Sequence, residues 1–266
     1  DLAVRIPMAV ICDILALPPS DWDALLGWGK MAIGGTDPEY RHGSAAETVS
    51  HGYRLLYEYS LRKASERRGC PFSDPLTALA NAKLGGQPMS PSEIAHNGTQ
   101  LMLAGFETTR NAFSGGVLAL LRNPEQMALL REDPKRLRLG VEEFVRWSDP
   151  VISLMRAATR DTDLRGRTIR AGDRLMLWFP SANRDEEVFA DGDVFRIDRQ
   201  PNDHIAFGRG EHVCLGAHLA RLELRATFDA LSTRLRHAEL IGRVERVRSS
   251  FVGGIKHVPL RWELAA

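Results

Sequence analysis

Cysteine is scarce in this chain. Its 266 residues include three, Cys12, Cys70 and Cys214. No two stand at C-x-x-C or zinc-ligand spacing, and an odd number does not complete a disulfide framework. That excludes a stapled secreted scaffold and predicts a reducing, cytoplasmic setting. Lysine is almost as rare, found only at Lys30, Lys63, Lys83, Lys135 and Lys256, so arginine carries most of the basic charge. Net charge is +1, which leaves no basic arm for nucleic acid and no acidic tail. No apolar run reaches the length of a membrane span. The segment Ile6 to Leu17 holds Asp13 and ends at Pro18-Pro19, so it reads as a short core helix. No signal-peptide pattern opens the sequence, and there is no repeat or low-complexity stretch.

What remains is the composition of an ordinary globular protein, 44% hydrophobic and 26% charged, long enough for a sizeable core. Apolar periodicity predicts helices over 4–16, 20–34, 44–68, 74–83, 91–122, 124–132, 137–147 and 214–233. Ser20, Asp74-Pro75 and Asn123-Pro124 mark helix starts, and Gly69, Gly85 and Gly86 mark stops. The helix over 91–122 would be about 45 Å long. Leu101 to Phe106 is apolar nearly all round, so this helix should cross the middle of a domain. Ala104-Gly105-Phe106-Glu107-Thr108-Thr109 is expected to interrupt it. Gly and Thr are poor helix formers, and hydroxyls bond back to the carbonyl four residues earlier. Strand patterns appear between Met155 and Pro180, with a hairpin around Arg165-Gly166 and a strand over 174–179, and again over 236–262. The fold class is mainly α with a small β region.

The chemistry concentrates in Phe207-Gly208-Arg209-Gly210-Glu211-His212-Val213-Cys214-Leu215-Gly216. A cysteine placed just before a helical run lies where free N–H groups and the helix dipole favour a thiolate. Gly208, Gly210 and Gly216 remove side chains around it, so backbone can approach a large flat ligand. A thiolate in that setting suits a haem iron as axial ligand. For an isolated cysteine, a buried structural role would be the default.

The spacing Phe-x-x-Gly-x-x-x-Cys-x-Gly, met by Phe207, Gly210, Cys214 and Gly216, resembles the haem-binding loop of the cytochrome P450 family. The resemblance implies the family's helical fold over 1–266 as a single domain. It implies a b-type haem (heme b) ligated through iron by Cys214, with Phe207, Gly208 and Gly216 against it. His212 and Arg156 would reach the haem propionates by charge-assisted hydrogen bonds. Ala104-Gly105-x-Glu107-Thr108 resembles the oxygen-activation motif of the family's central helix. Ala104 and Gly105 would leave room for O2 and substrate, Thr108 would hydrogen-bond the oxygen and its water, and Glu107 would bring protons in from solvent. Splitting O–O heterolytically takes two protons at a dry site, so a built-in relay is needed.

Glu143-x-x-Arg146 falls on one face of the predicted helix over 137–147. In the family this spacing is a buried ion pair behind the haem loop. Its third partner is an Arg in Pro-x-Arg-Phe, but Gly192-Asp193-Val194-Phe195 stands here, with Val194 in the Arg position. Arg196 and Arg199 are the candidate replacements, and the sequence does not choose between them.

The likeness extends over essentially the whole chain, including Asn183-Arg184-Asp185 and Leu215 to Arg221. A front portion of roughly a third of a soluble bacterial P450 is not matched, so the chain reads as N-terminally incomplete. Within the family it looks most like bacterial enzymes that hydroxylate steroid side chains, branched lipids and terpenoids; natural-product tailoring enzymes share many of these features. The resemblance assigns Val151, Ile152, Ser153, Phe251 and Val252 to a pocket for an apolar small molecule. No flavin or iron–sulfur motif is present, so electrons would come from a separate ferredoxin- or flavodoxin-type donor. A peroxygenase, or a haem-binding protein without turnover, are the other readings.

Overall fold

The computed structural model describes residues 2–71 and 74–265. The chain divides into two compact units, one of 1–113 with 246–249 and one of 114–245 with 250–266.

The first unit is helical. It comprises α1 (Leu2–Ile14), α2 (Trp22–Gly34), α3 (Ala45–Glu66), α4 (Pro75–Ala80), the small hairpin of β1 (Lys83–Leu84) and β2 (Gln87–Pro88), and most of α5 (Pro91–Arg122). Local chemistry sets the helix starts. The Ser44 hydroxyl accepts from Glu47 N while the Glu47 carboxylate accepts from Ser44 N, a reciprocal cap for α3. Ser90 and Glu93 repeat the arrangement before α5, with Pro91 at the first helical position. Ser20 does not cap α2. It lies in a 3₁₀ turn, Pro19–Asp21, and α2 begins after it. The core packs Met8, Ile11 and Leu15 of the N-terminal segment against Leu25, Leu56, Tyr59, Leu76, Met102 and Phe106. α2 and α3 cross closely at Gly52, where a Cβ would lie 2.6 Å from Ala32 N and 2.7 Å from Trp28 O. Backbone atoms cannot yield as a side chain can, so only glycine fits at this crossing.

The predicted interruption of α5 does not occur. The helix runs unbroken from Pro91 to Arg122. Thr108 donates to Ala104 O at 2.7 Å, so its hydroxyl is satisfied along the helix without breaking the backbone ladder.

The second unit mixes helices and short strands. In chain order it holds the end of α5, α6 (Pro124–Glu132), α7 (Leu137–Ser148), β3 (Ser153–Ala157), β4 (Thr162–Leu164), β5 (Arg167–Ile169), β6 (Arg174–Trp178), α8 (Phe179–Ala182), α9 (Ala217–Arg234) and β7 (Leu235–Leu240). β8 (Glu245–Arg246), β9 (Ile255–His257) and β10 (Leu260–Leu264) follow in the sequence, Arg246 being counted with the first unit. β3 pairs antiparallel with β6, and β7 with β10. β4 and β5 form the predicted hairpin, with φ of +50° at Arg165 and +76° at Gly166, the two left-handed residues that a tight right-twisted hairpin requires. Phe144 of α7 stacks on Phe228 of α9 at 4.0 Å between ring centroids. No described helix is long and apolar enough to cross a membrane.

α9 carries an uncompensated acid. Glu223 is 8% exposed, and its Oε2 has no hydrogen-bond partner. Burial pushes its carboxyl up to about 7. The folded form then holds its proton more tightly than the unfolded chain. Stability is fully present below the ordinary carboxylate range and falls as pH rises towards 7. Glu223→Gln is expected to flatten that decline and to raise stability at pH 8 by roughly 2–3 kcal/mol, read from urea midpoints between pH 5 and 8.

Candidate active site

The loop before α9 is shaped by two glycines. Gly208 and Gly210 both have φ of +72°, a region closed to most side chains. Gly208 N donates to Ile205 O at 2.7 Å, Val213 N to Gly210 O at 3.1 Å, and Cys214 N to Phe207 O at 2.8 Å. The chain thus folds back on Phe207 and presents Cys214 at the tip. For this reason α9 starts at Ala217, with Gly216 as its N-cap, and not at Cys214 as predicted. Cys214 O accepts from Ala217 N at 3.3 Å, so the cysteine still leads directly into the helix. Its thiol is free and exposed, as are His212, Val213 and, at 86%, Leu215. The structural default of a buried cysteine is therefore wrong for Cys214, while Cys12 fits it.

Behind the loop lies a buried charge network. Glu143 and Arg146 of α7 are both 0% exposed and form a two-pronged pair, Nε–Oε2 and Nη2–Oε1 each 2.7 Å. Arg199 completes it, Nε lying 3.2 Å from Glu143 Oε2. Arg196 supplies only its backbone N–H to Glu143 at 2.9 Å, and its side chain turns to Asp198. Val194 takes part through its carbonyl, which accepts from Arg199 at 2.6 Å and from Arg146 at 3.4 Å. Arg146 also donates to the carbonyls of Asn183 and Gly192. Asn202 adds a donor to Glu143 at 3.1 Å. One carboxylate thus ties α7 to the whole stretch that leads into the cysteine loop.

Sequence reasoning missed a second network. Glu142 accepts from Arg221 of α9 through both oxygens, at 2.7 and 2.9 Å, and lies 3.1 Å from His204 Nε2. Burial works to raise the Glu142 carboxyl, but the hydrogen bonds from His204 and Arg221 and the Arg221 charge outweigh it and hold the group at about 2. The His204 side chain is buried beside the loop and tilted against Phe207.

The residues predicted for a substrate pocket do come together. Val151 bridges to Val252, and Ile152 N donates to Phe251 O at 2.8 Å. Phe251 is partly exposed and Val151 and Ile152 half-buried, whereas Val252 and Ser153 are buried. The Ser153 hydroxyl is engaged by Ser250 O at 2.8 Å. Arg156 of β3 is exposed and touches only its neighbour's carbonyl, Met155 O, among the described hydrogen bonds.

In the first unit, Ala104 is exposed and Thr108 half-buried, four residues apart on one face of α5. Glu107 lies on the buried side. It is 3% exposed and paired with Arg110, also buried, at 2.6 Å. Its carboxylate is closed to solvent in this pairing, so the expected delivery of protons from solvent requires it to leave Arg110. The sequence showed the means for this, since Glu107-x-x-Arg110 has the same spacing as Glu143-x-x-Arg146.

A haem needs a soft axial donor, cations for its propionates and apolar surface for its faces. The second unit offers the exposed Cys214 thiol, exposed His212 and Arg156, and exposed Val213 and Leu215. A Cβ at Gly216 would meet nothing within 4 Å, so the ground beside the thiol is clear. These residues fit the group.

Comparison with known proteins agrees. The cytochrome P450 family model matches residues 58–240. Cytochrome P450-terp of a Pseudomonas species is 40% identical over the whole chain, which spans 64% of that protein. Linalool 8-monooxygenase of Pseudomonas putida is 36% identical over 97% of the chain and 63% of its own length. A Mycobacterium marinum cytochrome P450, solved in complex with pseudoionone, superposes with a TM-score of 0.92 at 34% identity, covering 97% of this chain and 63% of that one. The chain thus spans under two thirds of each relative. On the loop, the buried network and these likenesses, it belongs to the cytochrome P450 family, whose members carry a thiolate-ligated haem b.

Proposed function

We propose that this protein is a haem-thiolate monooxygenase. It hydroxylates an apolar small molecule of terpenoid, branched-lipid or steroid type, using O2 and electrons from a separate ferredoxin- or flavodoxin-type donor in the cytoplasm. The exposed Cys214 thiol, in a glycine loop backed by the buried Glu143–Arg146–Arg199 network, carries this reading. The similarity to linalool 8-monooxygenase supports a terpenoid-like substrate.

Bound haem would supply the redox chemistry that activates O2. The chain's own residues would do the rest. Cys214 gives the thiolate, and His212 and Arg156 give the propionates their cationic partners. Ala104 leaves space on the open face of α5, whereas the expected room at Gly105 is taken by Ile11, whose side chain a Cβ there would meet at 2.5 Å. Thr108, on the face of Ala104, would order a water and pass a proton once its hydroxyl leaves Ala104 O. Glu107 supplies protons to Thr108 as it exchanges its bond with Arg110. Val151, Ile152 and Phe251 offer apolar contact, while Ser153 and Val252 fix that segment from behind.

The test is the absorbance of the reduced protein under carbon monoxide, beside Cys214→Ala. A strongly red-shifted Soret band that disappears in the variant is the expected result. A band that survives Cys214→Ala, or no haem in the wild type, defeats the assignment. Thr108→Ala is expected to keep the band and lose substrate turnover by on the order of 10²-fold, which separates a catalyst from a haem-binding protein.

A further inference from the structure

Asn183 lies just beyond α8 and is 0% exposed, and each of its polar groups is bonded. Its backbone N–H donates to Phe179 O at 2.8 Å, and its carbonyl accepts from Arg146 at 2.7 Å. The side chain spans two other segments. Nδ2 donates to Asp149 Oδ1 at 2.7 Å, and Oδ1 accepts from Ile205 N at 2.8 Å. A planar amide carries a donor and an acceptor on one rigid group, so it holds the two segments at a fixed separation.

Both segments lead into the site. Asp149 ends α7 in the left-handed region, with φ of +42°, a conformation that strains most side chains. Asn183 and Arg184 hold its carboxylate there. The next residue, Pro150, accepts from Gly253 N at 2.9 Å, and Val151 then bridges to Val252. Gly253 packs so close that a Cβ there would lie 2.8 Å from Asp149 O. The turn at Asp149 therefore fixes both strands of the predicted pocket. On the other side, Ile205 O accepts from Gly208 N at the base of the cysteine loop.

We propose that Asn183 is a positioning residue that sets the pocket segment 149–152 at its distance from the cysteine loop. The inference rests on the reading of Cys214 as haem ligand and of Val151 and Ile152 as substrate contacts. A molecule seated against Val151 and Ile152 is thereby held in register with Cys214. In the haem-loaded protein the probes are imidazole, which needs only the iron, and 4-phenylimidazole, whose ring also needs the pocket segment; both are read from the Soret shift. Asn183→Asp sets a carboxylate against Asp149 and breaks that arm, while still accepting from Ile205 N. It is expected to weaken 4-phenylimidazole about tenfold and to leave imidazole within about twofold. Asn183→Asp/Asp149→Asn restores the hydrogen bond with its polarity reversed, and should bring 4-phenylimidazole back to within about twofold of wild type. If Asn183→Asp does not fold, Asn183→Ser, too short to span both arms, serves the same comparison.

A second readout needs no haem. Hydrogen exchange in peptides covering 149–153 and 204–208 is expected to quicken in both together in Asn183→Asp, because the side chain that holds Ile205 has lost its anchor, and to slow again in the double variant. Faster exchange in 149–153 alone, equal weakening of the two probes, or a double variant no better than Asn183→Asp overturns the proposal and leaves Asn183 a local brace. Coupled exchange in a chain that binds no haem would uphold the link between the segments and defeat the haem assignment instead.

Discussion

Glu143→Ala is expected to destabilise the second unit by roughly 3–5 kcal/mol, enough to leave much of it unfolded at 37 °C. The reason lies in what stays behind. Arg146 is 0% exposed and Arg199 is 5% exposed on its side chain, and both lose their shared carboxylate with no water to replace it. Arg196 N and Asn202 also lose their acceptor. Glu143→Gln should cost less, because an amide oxygen still accepts from one arginine. Arg196→Ala is the internal control. Among the described residues its side chain pairs with Asp198 alone, at the surface and 47% exposed, so it should cost no more than about 0.5 kcal/mol. Urea midpoints with a common slope would measure all three. An Arg196→Ala cost equal to that of Glu143→Ala would contradict the assignment of Arg199 as the third member.

That assignment marks where the sequence stopped being informative. Glu143-x-x-Arg146 was visible because both residues sit on one helix, at a spacing that fixes their relation. The choice between Arg196 and Arg199 depended on the path of an irregular loop. The gap left by Val194 was closed by its own carbonyl, which any residue would supply. Long-range partners were hidden for the same reason. His204 is 62 residues from Glu142 and Arg221 is 79, and nothing local marks either. Two helices with proline at their starts were read to the residue, whereas the one begun by Asp74-Pro75 ends at Ala80, three residues before the predicted 83. Pro91 and Asn123-Pro124 bound α5 at both ends and start α6. The start of α9 was misplaced by three residues, because two left-handed glycines keep Cys214 in the loop although a helical run follows from Ala217.

The largest effect expected in the first unit belongs to Glu107 and Arg110. Two Arg110 nitrogens, Nε at 3.1 Å and Nη2 at 2.6 Å, donate to the same Glu107 oxygen, Oε2. Oε1 has no partner, and neither does the side-chain amide of Asn111, one helical turn further on. Arg110→Met is expected to cost roughly 3–5 kcal/mol, since it strands a carboxylate that is 3% exposed. Glu107→Gln/Arg110→Met together should cost less than the sum of the single changes, with a coupling of about 1–3 kcal/mol, because no unpaired charge remains. The proposed chemistry makes a separate demand on the same acid. With its fold intact and its haem spectrum unchanged, Glu107→Gln should still lose turnover by on the order of 10²-fold, the usual worth of a positioned proton donor. If Glu107→Gln turns over at the wild-type rate while the stability coupling persists, the pair is a structural rivet of α5, and Thr108 draws its proton from elsewhere. If both effects appear, the acid that delivers protons is also the one that holds the buried side of the helix. Turnover would then have to break, for a moment, an interaction the fold depends on, and Arg110 would set how readily that happens.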